Sequence, residues 1–350
     1  MEPLAKSKPP SGEQQYQDFE KKRKYLGYGV AALLLLSGLS AIYLGAYPVS
    51  FRDFFESVVI WNIRLPRILS ALLVGGILGV SGGVMQCVLR NPLASPFTLG
   101  VSSGAAFGAA VAIVLFGTGQ LQRAGLAGVI INNPYIVSVS AFFFSLMAVF
   151  LILALVRLKS VTPTAMILAG VAMASFFQAS TMLIQLFAED VKVAAVVFWT
   201  FGDVGRTNWT EIAVLAFVFL AIFSFFLSMR WKLNAMLGGD ETAKSLGVDP
   251  KRLRLKCMVL ASMLSSVSVS FAGIIGFVGL IAPHVVRLII GADYRYLIPY
   301  SALVGALILI LSDTFGRTII SPAIIPVGII TSFVGVPILL YLLIKGERHG

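Results

Sequence analysis

The sequence predicts an all-α polytopic membrane protein, and three observations carry that expectation. Of its 350 residues, 58% are hydrophobic and 12% charged, and the mean hydropathy is +0.91. A soluble domain carries about 25% charged residues, so this chain has too few to cover a water-facing surface. Apolar runs of about 20 residues, long enough for the ~30 Å hydrocarbon core, recur along almost the whole sequence. Lipid offers no partner to backbone polar groups, so such runs are helices. The two-residue alternation of a membrane barrel is lacking.

Ten spans are expected, at 25–46, 66–88, 97–116, 134–156, 164–187, 211–229, 255–273, 276–290, 297–316 and 324–344. Residues 1–24 form a polar tail, with Pro9-Pro10-Ser11-Gly12 followed by Lys21-Lys22-Arg23-Lys24. A signal peptide also places basic residues before an apolar run, but this tail is long and no small-residue cleavage site follows closely. Residues 25–350 read as one transmembrane domain, interrupted by a polar loop at 230–254.

Lysine and arginine set the expected orientation. With the N-terminus inside, 20 of the 27 lie in cytoplasmic segments, leaving Arg52, Arg64, Arg67, Arg123, Lys192, Arg206 and Arg317 outside. That asymmetry supports ten spans and two cytoplasmic termini. The formal charge of +11 thus reflects topology and contact with anionic lipid, and implies no nucleic-acid site.

Side chains for catalysis are sparse. His349 lies in the C-terminal tail, and His284 follows Pro283 in the eighth span. Cys87 and Cys257 lie far apart and have no metal-ligand spacing or disulfide framework. Asp313 is the one carboxylate suited to a proton relay, and Arg317 four residues later favours a local ion pair instead. The run Gly238-Gly239-Asp240-Glu241-Thr242-Ala243-Lys244-Ser245 resembles a phosphate loop, but Ala243 stands where the second glycine is required. No strand pattern precedes it. ATP drive would therefore come from a partner.

Between spans six and seven the segment 230–254 is polar, whereas the other inner loops are short. Asp240 is expected to cap a short helix with apolar positions Ala243, Leu246 and Val248, stopped by Gly247. A short amphipathic helix at a membrane surface suits docking into another protein's groove. A solvated connector is the plainer alternative.

These residues carry a resemblance. Arg64-Leu65-Pro66-Arg67 precedes span two, and Ser81-Gly82-Gly83-Val84-Met85-Gln86 lies within it. Arg90-Asn91-Pro92-Leu93-Ala94 and Leu99-Gly100-Val101-Ser102-Ser103-Gly104-Ala105-Ala106 come next. Leu168-Ala169-Gly170-Val171-Ala172 lies in span five, and the segment 237–248 comes after span six. Gly276-Phe277-Val278-Gly279-Leu280-Ile281-Ala282-Pro283-His284 and Pro326-Val327-Gly328-Ile329-Ile330-Thr331 complete the set. From about residue 25 onward the sequence resembles the FecCD family, permeases of type II ABC importers for iron-siderophores, haem and cobalamin. The segment Val191–Thr207 departs most, keeping Trp199 and Gly202.

The resemblance implies a non-enzymatic permease that binds no cofactor, with ATP-Mg on partner subunits. It implies a second permease copy or a paralogue, two cytoplasmic ATPases, and an extracytoplasmic binding protein. Arg64, Arg67 and Arg317 would receive that binding protein from the outer rim. Gly239, Asp240, Glu241, Ala243, Leu246 and Gly247 would couple to the ATPase. Spans five and ten would line the path, placing Ala172, Met173, Ser175, Thr331 and Val334 along it. The cytoplasmic gate maps to Asn91, Leu93 and Thr164, although Pro163 stands where relatives often carry a hydroxyl residue.

Gly75, Gly76, Gly79, Gly82, Gly83, Gly104 and Gly108 recur at near-helical spacing, as close packing of membrane helices requires. Spans 2–5 and 7–10 form a candidate inverted repeat, with proline-bearing stretches at Pro92–Pro96 and Pro283. The alternative, an ion-coupled secondary transporter, calls for buried ionisable residues, and a membrane enzyme for clustered His, Asp or Glu; neither pattern is evident.

Overall fold

The computed structural model describes residues 12–45, 55–117, 119–122, 128–131, 133–159 and 162–346. Lys6, Lys8, Arg52, Arg123, Arg348 and His349 lie outside that set. Helix α1 (Gly12–Tyr43) begins inside the polar tail and runs unbroken into the first apolar span. Span two is α2 (Leu65–Val88), entered through a π-helical turn at Ile60–Arg64, with Pro66 in its first turn. Proline suits that position because its missing N–H would have no partner there.

A short 3-10 turn, Pro96–Leu99, is fixed by reciprocal Ser95 and Thr98 bonds and leads into α3 (Val101–Ala110). A small antiparallel hairpin, β1 (Gly119–Gln122) and β2 (Gly128–Ile131), comes after it. Next are α4 (Pro134–Lys159) and α5 (Pro163–Leu186), the latter capped by Thr162. A short helix, α6 (Asp190–Thr200), occupies the segment that departed most from the family pattern. Asn208 and Glu211 form a capping box that starts α7 (Trp209–Ser228). The polar loop folds as two short helices, α8 (Arg230–Leu237) and α9 (Asp240–Ser245). Asp249 and Pro250 start α10 (Pro250–Ala272). The chain closes with α11 (Val278–Ile290), α12 (Tyr294–Thr318) and α13 (Val327–Gly346).

Among the described residues, seven helices are long and apolar enough to cross a membrane. Three shorter apolar ones, Val101–Leu115, Val278–Ile290 and Val327–Tyr341, bring the described total to the ten expected from sequence. Helix α2 is the hub: 83% of its apolar window is buried, under α12, α10, α11 and α7. Glycines permit this. A Cβ on Gly75 would overlap the Gly305 carbonyl of α12, one on Gly79 the Ser301 carbonyl, and one on Gly82 the Gly279 carbonyl of α11. Gly104 and Gly108 face Phe144 and Ser140 of α4 in the same way. The glycine pattern is therefore a packing pattern. Helix α5 is the opposite case, with 11% of its window buried in this chain.

Candidate functional site

Two polar clusters mark opposite ends of the helix bundle. At the first, the C-terminal end of α1 meets the start of α2 and the end of α12. Asp313 sits between two arginines, with Oδ1 2.8 Å from Arg67 Nε and Oδ2 3.0 Å from Arg317 Nε. Arg67 Nη2 also reaches Asp203 at 3.0 Å. The last carbonyls of α1 have no partner within their helix, and cations take them. Arg64 donates to the Ile42 carbonyl, and Arg317 to those of Ala41 and Leu44.

This arrangement corrects the expectation that Arg64, Arg67 and Arg317 project from the rim. Arg64 is 4% exposed, and Arg67 and Arg317 are each 6% exposed. Their guanidinium groups turn inward because two carboxylates and the terminal carbonyls of α1 collect them. The ion pair read from the Asp313–Arg317 spacing is present. Its second arginine, Arg67, was not foreseen.

At the other end, α8 packs against the terminus of α2, and α9 against α8 and α10. Arg254 of α10 is fully buried. Its Nε donates to the Val88 carbonyl at 2.7 Å, and its Nη2 to both carboxylate oxygens of Asp240, at 2.8 and 3.1 Å. The capping role expected of Asp240 is thereby corrected: Gly239, at φ +100°, holds the cap position, and the carboxylate points to Arg254 instead. Gly247 does stop α9, at φ +77°. The Gly247 amide donates to the Lys244 carbonyl at 2.9 Å and the Val248 amide to the Ala243 carbonyl at 2.9 Å, a Schellman closure. Ala243 is fully buried within this chain, whereas Leu246 is 65% exposed. Of the apolar positions expected on this helix, Ala243 is buried, Val248 is half-buried and Leu246 alone is exposed. Glu241 is exposed and paired with Lys244 at 2.8 Å.

A third network ties α1 to this same end. Arg23 donates to the Ile290 carbonyl and lies 3.5 Å from Asp293. Tyr296 donates to Glu20, and Asn234 of α8 donates to Asp293. Burial works against the Asp293 carboxylate, but hydrogen bonds from Arg295 and Asn234 hold its pKa down at about 2. Arg295 also stacks over the Trp231 ring, 5.0 Å from its centroid.

The residues carried over to the path divide. Ala172, Ser175 and Val334 are exposed, Met173 is half-buried, and Thr331 is buried with its hydroxyl on the Gly328 carbonyl. Thr331 therefore faces the interior of the chain. At the turn after α2, Asn91 Oδ1 accepts from the Leu93 amide at 2.8 Å, and the Leu93 side chain is exposed. Thr164 is exposed in the first turn of α5.

The pattern of the FecCD transport family matches residues 33–345. This chain belongs to the FecCD transport family. The ABC transporter permease protein MJ0087 of Methanocaldococcus jannaschii is 52% identical over 342 residues, 95% of this chain and 97% of its own length. The hemin transport system permease protein HmuU of Yersinia pestis is 35% identical over 335 residues, 93% of this chain and 97% of its own. A solved structure of a metal-chelate type ABC transporter in an inward-facing conformation superposes with a TM-score of 0.82 at 34% identity. It covers 92% of this chain and 99% of the solved one.

Within this FecCD chain, sequence reasoning missed residues that geometry brings forward. Arg254 was legible in principle, since it shares a helical stripe with buried Cys257, Met258 and Ala261. A cation on an inward stripe signals a buried pair. Gln178, Thr181 and Gln185 of α5 line an open groove of about 290 Å³ with Ser102 and Ser103 of α3. The three- and four-residue spacing of those α5 side chains was the available signal.

Proposed function

We propose that this chain is the permease subunit of an ATP-driven importer that moves a metal chelate across the cytoplasmic membrane. The cargo class is iron-siderophore, haem or cobalamin, which the naming of HmuU for hemin supports. One observation carries the reading beyond family membership: α5 is uncovered in this chain and bears no ionisable residue from Pro163 to Leu186. Such a face suits pairing with a second permease copy and passing a bulky solute without holding it. It does not suit ion-coupled secondary transport, which needs ionisable side chains along the path.

In this reading the α9 end and both termini are cytoplasmic, and two ATPases carrying ATP-Mg dock on α8 and α9. Leu246 and Glu241 present the docking face, and Gly239, Asp240, Ala243 and Gly247 set its shape. The Arg64, Arg67 and Arg317 end faces outward toward a binding protein. Docking there depends on the shape that the buried cluster gives the surface, together with its charge: three arginines against Asp313 and Asp203. Asn91, Leu93 and Thr164 form the inner gate, and Ala172, Met173, Ser175 and Val334 line the path, with Thr331 supporting its wall.

The test is reconstitution of the chain with its ATPase and binding protein in liposomes. Uptake of a ferric siderophore, haem or cobalamin should require both partners and ATP, and should survive protonophore and sodium ionophore. ATP turnover by the isolated chain, or uptake abolished by ionophore alone, overturns the proposal.

A further inference from the structure

We infer that Arg254 is a transmission residue: it converts displacement of α9 into displacement of the α2 terminus and the gate turn behind it. The inference rests on the reading of α9 as the ATPase-facing helix. Arg254 itself is fully buried, so it cannot touch a partner. It binds two separate elements at once, Val88 of α2 through Nε and Asp240 of α9 through Nη2. A planar guanidinium holds two such directions rigidly, which a lysine ammonium on a flexible stem does not.

Burying a cation is expensive in free energy, and an apolar residue of similar volume commonly stabilises a fold as well or better. Arg254 therefore does more here than fill the space between α10 and its neighbours. The element it would move is the turn immediately after Val88. Arg90 takes φ +48°, a left-handed conformation that non-glycine residues adopt sparingly. The Asn91 amide then returns to the Gln86 carbonyl at 3.2 Å. Two residues on lies exposed Leu93.

A second contact reaches the last turn of α2 from α8. Cys87 places its Sγ 3.4 Å from the Leu233 carbonyl of α8. Helices α8 and α9 are thus tied to the last turn of α2 at two points, through Cys87 and through Arg254. A rigid link between a docking helix and a strained turn is one physical form that coupling between distant sites takes.

The experiment uses the full complex in liposomes and reads chelate transported per ATP hydrolysed. Arg254→Lys and Arg254→Gln are each expected to lower that ratio tenfold or more while the ATPase still co-purifies. Asp240→Ala breaks the same link from its half-buried side, so it tests the idea even where an Arg254 variant fails to assemble. Adding Arg254→Gln to Asp240→Ala should lower the ratio no further, because both cut one link. An unchanged ratio, a proportional fall in transport and hydrolysis, or additive losses in the double variant overturns the inference. Loss of ATP-dependent uptake in the wild-type complex would instead remove the functional reading beneath it.

Discussion

Arg67 Nε stands 2.8 Å from Asp313 Oδ1, joining positions 246 residues apart in the chain. The contact pins the first turn of α2 to the last turns of α12, and Arg317 closes on the other carboxylate oxygen. Side chains that read as a rim in the sequence are instead the bolt between two central helices.

Removing the shared carboxylate leaves two buried guanidinium groups without it. Asp313→Ala is expected to destabilise the chain by about 3–5 kcal/mol, the usual cost of breaking a buried ion pair from one side. The measurement is the melting temperature in detergent. The double reversal Arg64→Glu with Arg67→Glu should lose folded protein before any effect on docking can be read. Full stability of Asp313→Ala would return these arginines to the rim.

Two positions on α9 should respond in different ways. Leu246→Asp places a charge on an exposed side chain, so the chain should stay folded while ATPase co-purification falls at least tenfold. Ala243→Arg forces a large cation into a fully buried site, and overpacking with an unpaired charge should destabilise the chain itself. Size-exclusion profiles separate the two. Normal ATPase recovery with Leu246→Asp would make the loop a connector.

Glycine substitutions offer a sharp contrast within one sequence. Gly82→Ala drives a methyl group into the Gly279 backbone and should abolish folding or lower the melting temperature severely. Gly38→Ala meets nothing within 4 Å and sits mid-helix in α1. It should be neutral or stabilising by about 0.5–1 kcal/mol, since alanine loses less backbone entropy in a helix. Equal effects at the two positions would contradict the packing described for α2.

The Asp293 carboxyl, held at about 2 against an ordinary 3.8, makes stability depend on pH in a definite sense. A depressed carboxylate pKa stabilises the fold fully above the ordinary value and loses that contribution as the pH falls from about 4 through 2. Stability from this group should therefore be flat from pH 8 to pH 5 and then decline. Asp293→Asn should be less stable at neutral pH and show a shallower acid slope. Parallel melting curves for the two proteins between pH 5 and pH 2 would rule out the assignment.

The ten apolar helices were legible because the bilayer imposes a length and a composition on any span, and both are local properties of sequence. The family was legible because its motifs are contiguous. The stop at Gly247 and the pair Asp313–Arg317 were legible for the same reason, since each depends on residues a turn apart. What the sequence could not settle is the partner of any group whose partner lies far along the chain. Asp240 looked like a cap because an aspartate beside a helix start usually bonds its own backbone; Arg254, fourteen residues on, competes for it and wins with two charge-assisted bonds. Arg64 and Arg67 looked like a rim because their spacing places them on one face. Only the close approach of α12, made possible by Gly75 and Gly305, brings Asp313 near enough to turn Arg67 inward. Local pattern determined the elements, and long-range charge pairing decided which way their polar side chains point.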